Sequence, residues 1–236
     1  MSLRAVMPSA AEPTLIIFAK APQPGRVKTR LAPLLGEEGA ARLQARLIER
    51  TLGMALEAGF RRVELHCAPR VRHPLFSRLA ERFHVSLRGQ RGADLGARML
   101  RACAGALRTS RAVVLIGADC PELRPADLRA AARALRGGAH AVFAPAEDGG
   151  YALIGLRRAS PRLFAGIGWG GPGVMDETRK RIAELGWRSR ELRTVWDVDR
   201  PADYVRFTRL RKFSAPRPRA RRSGDSRARS GGSGRT

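Results

Sequence analysis

The chain has 236 residues, 44% of them hydrophobic, which is enough for one sizeable core. No apolar run approaches the ~18 residues of a membrane span, and the first 13 residues carry no apolar stretch of the secretory type. The formal charge of +24 is spread along the chain with only 6% aromatic residues, which disfavours a dedicated nucleic-acid stripe with stacking platforms.

Of the 45 cations only Lys20, Lys28, Lys180 and Lys212 are lysines, so the basic balance is an arginine bias. Cys67, Cys103 and Cys120 are odd in number and match no metal-type spacing. A reducing, cytoplasmic location is the expectation.

Residues 1–13 read as a flexible N-terminus. Residues 15–18 are four consecutive apolar residues, the pattern of a strand covered on both faces. Pro22, Pro24 and Gly25 stop that strand. Arg26, Lys28 and Arg30 follow where a helix could begin, with Lys20 just before. Cations beside backbone N–H groups past a parallel strand suit a polyphosphate, although a solvated basic turn has the same appearance.

A long helix is predicted over residues 37–57, with acids in its first turn and Gly59 beyond its end. Residues 63–67 read as a strand, 74–83 as a helix and 84–87 as a further strand. Residues 93–107 are helical. Asp94 suits its N-cap, whereas Gly92 and Arg98 suit a loop reading a base or sugar.

Residues 112–116 form a second buried-type strand that ends in Gly117 and Asp119. A carboxylate there is costly without a partner. It either binds a cation or caps the next turn before Pro121. If this strand neighbours the first, Lys20 to Arg30 and Asp119 face one crevice at the reversal of strand order. Cys120 reads as a small buried residue, since no histidine accompanies it locally.

Residues 125–136 are helical and stop at Gly137-Gly138. Residues 141–145 and 151–156 are strands around Glu147-Asp148-Gly149-Gly150. That segment is a hairpin turn, or a glycine-opened loop lining a substrate beside Tyr151. Trp169, within glycine-rich residues 166–173, could stack on a sugar or base. The Gly-x-Gly-x-x-Gly there follows no strand pattern and is a poor dinucleotide fingerprint.

Residues 174–185 are helical, 188–195 extended and 202–210 helical. Asp197 and Asp199, alternate on an extended segment, could face one metal, or Asp199 could be a helix N-cap before Pro201. The four histidines are scattered and read as structural. The alternation of elements predicts an α/β fold with a largely parallel sheet in one domain over residues 14–213.

In this order the chain resembles the GT-A-type nucleotide-diphospho-sugar transferase superfamily. More narrowly, it resembles a bacterial glycosyltransferase-like family sometimes linked to arsenosugar biosynthesis. The residues are Lys20-Ala-Pro-Gln-Pro-Gly-Arg-Val-Lys-Thr-Arg-Leu31, Asp94-Leu-Gly-Ala-Arg-Met99, Gly117-Ala-Asp-Cys-Pro121, Asp148-Gly-Gly-Tyr151 and Asp197-Val-Asp199.

The resemblance implies a Rossmann-like mixed sheet of about seven strands with helices on both faces. It also implies a nucleotide at the first-strand loop and Mg²⁺ or Mn²⁺ at Asp119. Cousins that transfer guanylyl groups to phospholactate or molybdopterin share this plan. Two features depart from it: Ala118-Asp119-Cys120 replaces the frequent Asp-x-Asp, and the loop is proline-rich with one glycine.

The expected activity is metal-assisted transfer from a nucleotide-sugar to a small-molecule acceptor. The alternatives are nucleotidyl transfer from an NTP with release of pyrophosphate, and a basic nucleic-acid-binding module. Lys28 and Asp119 are the expected catalytic pair. Lys20, Gly25, Arg26, Lys28, Arg30, Gly92, Asp94 and Arg98 would bind nucleotide. Asp148, Gly149, Gly150, Tyr151 and Trp169 would bind the other substrate, and Asp197 or Asp199 would join Asp119 at the metal. Acceptor, base and oligomeric state stay open.

Residues 214–236 hold seven arginines against one aspartate and no large aliphatic residue, a disordered basic tail by composition. Deleting them is expected to leave the Tm unchanged and to weaken only nonspecific polyanion binding. A loss of several degrees on truncation would show that the tail docks on the domain.

Overall fold

The computed structural model describes residues 12–210. The tail reading over 214–236 lies outside the described residues, and so does the N-terminal reading over 1–13 except for residues 12 and 13.

Seven strands form one sheet: β1 (Thr14–Lys20), β2 (Val63–Ala68), β3 (Ser86–Gly89), β4 (Val113–Gly117), β5 (Ala141–Pro145), β6 (Tyr151–Leu156) and β7 (Ser189–Glu191). Their order is β3-β2-β1-β4-β6-β5-β7, and only β6 runs antiparallel to its neighbours. The helices are α1 (Ala32–Glu57), α2 (Pro74–Phe83), α3 (Leu95–Leu107), α4 (Pro125–Arg136), α5 (Pro161–Phe164), α6 (Val174–Glu184) and α7 (Pro201–Arg209), with a 3₁₀ turn at Thr29–Leu31.

The unbroken apolar strands follow from burial on both faces. Leu15 and Ile17 of β1 join the layer containing Ile48, Leu52, Phe76, Leu79 and Leu128 of α1, α2 and α4. Ile16 lies in the opposite layer, with Met99 and Cys103 of α3 and Met175 and Ile182 of α6. Each fully buried aliphatic side chain is worth about 1.5–3 kcal/mol of transfer free energy. Two covered faces therefore hold β1 and β4 rigidly side by side, with Leu15 opposite Val114 and Ile17 opposite Ile116.

Three elements differ from the sequence expectation. The helix expected from residue 37 is assigned from Ala32, yet Gly36 breaks it with φ 68° and ψ 163°, so regular winding resumes at Glu37. His84 does not open a strand. It closes α2 in the left-handed region (φ 53°), donating its N–H to Ala80 O, and β3 starts at Ser86. Of residues 188–195 only Ser189–Glu191 pair as a strand, and Val195 returns to the sheet at Ala146.

Gly149 ties the β5–β6 turn to α6. Its φ is +88°, its carbonyl accepts the Met175 N–H at 2.8 Å, and a Cβ would lie 1.9 Å from Pro172 O. Gly149→Ala is expected to destabilise by at least the ~1–3 kcal/mol of overpacking. The check is a lowered urea midpoint at unchanged m value.

Candidate active site

The chain builds β1, β2 and β3 outward in one direction, then returns to place β4 on the other side of β1. Ligands of open α/β sheets bind at the carboxyl ends of strands beside such a reversal. A cleft of about 1150 Å³ lies there, with Lys20, Lys28, Gln90, Asp119, Tyr151 and Asp197 among its lining residues.

Lys28 and Asp119 meet in this cleft. Lys28 Nζ donates to Asp119 Oδ2 at 3.3 Å, joining the loop after β1 to the loop after β4. The Lys28 side chain is 6% exposed and that of Asp119 is 44% exposed, so the cation lies in the floor and the carboxylate faces solvent. Lys28 has left-handed backbone (φ 47°), a sparsely populated conformation for a residue with a Cβ. Gly117 makes room for its partner, since a Cβ there would sit 2.7 Å from Asp119 Oδ1. Asp119 caps no helix: α4 begins at Pro125, with Arg124 as its N-cap.

Asp197 completes the group. Its segment is pinned to the end of β4: Cys120 Sγ donates to Trp196 O at 3.1 Å, and Val198 N–H donates to Asp119 O at 3.0 Å. Trp196 and Val198 are buried, which turns the alternating Asp197 and Asp199 to the cleft. Burial first, then the negative charges of Asp119 and Asp148, push the Asp197 carboxyl up to about 6, opposed by Lys28. Cys120 serves as an anchor. Burial pushes its thiol up to about 12, far from a thiolate nucleophile.

Asp199 has another task. It pairs with Arg30 and is not an N-cap, because Arg200 takes that place while the Asp203 carboxylate accepts the N–H groups of Asp199 and Arg200. Arg26 and Lys20 are exposed along the cleft, and Gly25 supplies the φ of +70° that the loop needs. Any side chain at Gly25 would also meet the Glu37 carboxylate at 3.1 Å.

Gly92 and Asp94 lie outside the cleft lining. They build the start of α3: Asp94 accepts the Ala97 N–H at 2.7 Å, and Gly92 lets backbone approach within 2.6 Å of where its Cβ would be. Arg98 does line the cleft, with Nε donating to Gly92 O at 3.3 Å. Asp148, Gly150, Tyr151 and Trp169 line the opposite wall, whereas Gly149 does not. The β5–β6 segment is thus both hairpin and cleft wall. Glu147 turns away to a bidentate contact with Arg206, which stacks on Trp196 at 4.5 Å. Trp169 packs against Gly96, where a Cβ would lie 2.4 Å from its indole nitrogen, and meets Tyr151 edge-on at 6.4 Å.

Two glutamines escaped the sequence reading. Gln90 Nε2 donates to Ala19 O (3.3 Å) and His66 O (2.9 Å), so the amide cannot flip and Oε1 remains as its acceptor. Gln44 Nε2 donates to Lys20 O at 3.4 Å. Only the recurrence of a polar residue at the end of β3 and on the buried face of α1 could have signalled them. The four histidines are structural in part by capping: His73 caps α2, His84 closes it, and His140 Nδ1 accepts the Arg188 N–H.

Among the described residues no group of three or more His, Cys, Asp or Glu is gathered as a complete metal cage. Asp119 and Asp197 instead form a two-carboxylate pair in which burial and the neighbouring charge hold the Asp197 carboxyl above its ordinary range. Mg²⁺ typically takes one or two carboxylates and completes its shell with substrate phosphates and water. The residues fit such a cation.

Residues 51–171 match the family described as uncharacterized protein conserved in bacteria, DUF2064. The chain belongs to this family. No curated protein matches this chain at a significant level. Among solved structures, the chain is similar to a protein of Desulfovibrio desulfuricans G20, provisionally described as a nucleotide-diphospho-sugar transferase. The identity is 30%, the TM-score 0.76, and the match covers 87% of this chain and 90% of that one.

Two further structures share the fold at low identity. One is CMP:2-keto-3-deoxy-manno-octonic acid synthetase with CTP (13% identity, TM-score 0.55, covering 84% of this chain and 97% of that one). The other is 4-diphosphocytidyl-2C-methyl-D-erythritol synthase from Anaerococcus prevotii DSM 20548 (10%, 0.57, 84% and 96%). The fold of this family member is the Rossmann-like fold of the nucleotide-diphospho-sugar transferase superfamily, a superfamily of transferases. Among the described residues no helix is long and apolar enough to cross a membrane.

The raised pKa of Asp197 has a signed consequence. The folded state keeps this proton up to about pH 6. The stability it contributes is present at low pH and lost as pH rises through 6. The loss runs from the unfolded value of 3.8 to about 6, so Asp197→Asn is expected to raise Tm most at pH 8 and clearly less at pH 4.5. Equal shifts at both pH values in a thermal scan would remove the buried charge as the cause.

Proposed function

We propose that this protein is a metal-assisted transferase that takes a sugar from a nucleotide-sugar and delivers it to a small-molecule acceptor. The observation that carries the reading is the Lys28–Asp119 pair facing Asp197 in one cleft at the switch point of the sheet. Cations for phosphate and paired carboxylates for a hard cation are the two things a nucleotide diphosphate requires.

Asp119 and Asp197 would hold Mg²⁺ or Mn²⁺, which when bound neutralises charge developing on the leaving diphosphate. Lys28, fixed in the floor, sets a positive charge beside the same oxygens. Lys20 and Arg26 supply further cations along the phosphate path, and Arg30 holds Asp199 away from the metal pair. Gln90 presents its amide oxygen to an N–H of the base. Tyr151 and Trp169 form an aromatic wall suited to the apolar face of a sugar or acceptor. The Tyr151 phenol is pushed above its ordinary pKa by burial, so it acts as a neutral hydrogen-bonding group.

Nucleotidyl transfer is the second reading, and Lys28 favours it. A compact ammonium in the cleft floor also suits an α-phosphate under attack by an acceptor. The products separate the two: a nucleoside diphosphate for glycosyl transfer, pyrophosphate for nucleotidyl transfer. The arginine-rich composition keeps nucleic-acid binding only as a nonspecific property.

Lys28→Ala is expected to lose about 1–3 kcal/mol of nucleotide affinity, the worth of a charge-assisted hydrogen bond, without unfolding. Asp119→Asn should fold normally and lose the Mn²⁺-dependent part of nucleotide binding in titration calorimetry. Survival of that Mn²⁺ gain in Asp119→Asn would remove Asp119 from the metal site.

A further inference from the structure

A second cleft, of about 610 Å³, runs beneath α3 on the uncovered face of β2 and β3. Its origin lies in the sheet. α3 covers β1 and β4 with Met99, Ala102, Cys103 and Ala106, and β2 and β3 extend past it to the sheet edge. On that face Phe18 pairs with His66 and His66 with Arg88, one row down from Ile16, Glu64 and Ser86. The floor is therefore polar where a covered sheet would be apolar.

Six arginines surround this floor: Arg62, Arg88, Arg91, Arg98, Arg101 and Arg108. The sole carboxylate in the lining is Glu64, already hydrogen-bonded to His66 Nε2 at 2.9 Å. Among the described residues none of the six is ion-paired. Some arginines elsewhere find acids, as Arg179 finds Asp176 and Glu191 and Arg193 finds Glu122 and Asp127, while Arg157, Arg158 and Arg188 near His140 do not. What sets this concavity apart is the gathering of six guanidiniums around one carboxylate, Glu64, which feels the charges of Arg88 and Arg62.

The geometry limits what fits. Arg98, Arg101, Gly105 and Arg108 lie at i, i+3, i+7 and i+10, one stripe of α3 spanning roughly 15 Å at 1.5 Å per residue. Gly105 interrupts the stripe, and a Cβ there would meet nothing within 4 Å. A helical glycine without a packing reason leaves the middle of the groove open. One end is closed by Arg62, which donates to Thr109 O and Thr109 Oγ1 at 2.8 and 2.9 Å. The volume lies within the range of small-molecule sites. No Phe, Tyr or Trp lines it, so it lacks the stacking platform of a single-strand binder.

We propose that this second cleft is a binding site for a small molecule carrying several phosphate groups, held by the arginine stripe of α3 and by Arg62 and Arg88. The site is separate from the transferase reading and stands without it. Arg98 lines both clefts, so the two sites adjoin at the start of α3.

The test is calorimetric titration of the full chain with tripolyphosphate at 0.15 M NaCl. Gly105→Leu changes no charge, suits a helix better than glycine and places a side chain in the groove. It is expected to keep or raise Tm and to weaken tripolyphosphate binding at least about tenfold, the scale of one charge-assisted hydrogen bond. Arg101→Glu with Arg108→Glu should weaken it at least as much; tripolyphosphate also suits the first cleft, so Lys28→Ala should leave within about twofold only the binding event that Gly105→Leu weakens. The proposal is overturned if Gly105→Leu binds like the parent. It is overturned too if Lys28→Ala abolishes every binding event, which would put the probe in the first cleft alone. A 12-nucleotide single strand that binds more tightly than tripolyphosphate and loses affinity in the same variants would assign the groove to nucleic acid instead.

Discussion

The ion pair between Lys28 and Asp119 joins two loops that are 91 residues apart in sequence, and each side makes a local concession for it. Lys28 occupies left-handed backbone, and position 117 carries no side chain. Neither concession helps the core. Both are stable because β1 and β4 are parallel neighbours locked between two apolar layers, which fixes where the loops begin. Around this pair the rest of the cleft is arranged: the Cys120 and Val198 hydrogen bonds carry Asp197 to the same place, and the β5–β6 turn brings Asp148 and Tyr151 to the other wall.

The paired carboxylates give the cleft its chemistry. Burial first, and then the nearby charges of Asp119 and Asp148, hold the Asp197 carboxyl up to about 6, with Lys28 as the opposing charge. On the proposed reading, a divalent cation with a phosphate would relieve this charge. Arg30 acts in the opposite sense by occupying Asp199, so two carboxylates at i and i+2 on one segment take different roles.

Much of the fold was legible because local signals and burial agreed. Pro74, Pro125 and Pro201 mark first turns of helices, and the apolar runs before Lys20 and Gly117 read correctly as doubly covered strands. The neighbouring of the first and fourth strands also followed from the crossover logic of α/β sheets. The rest was set by tertiary context. Asp94 and Gly92 carry a motif, yet their groups are consumed in starting α3. Asp199 looked equivalent to Asp197 until Arg30 claimed it. The left-handed Lys28 and the doubly anchored Gln90 amide depend on partners distant in sequence, which no local pattern encodes.

The most direct measurement is a crystal structure with Mn²⁺ and the nucleoside diphosphate that most raises the Tm, with the metal located by its anomalous signal. The account predicts Mn²⁺ bound by Asp119, Asp197 and phosphate oxygens, with Lys28 within hydrogen-bond reach of the diphosphate. Mn²⁺ held by Asp199, or a diphosphate seated away from the ends of β1 and β4, would contradict it.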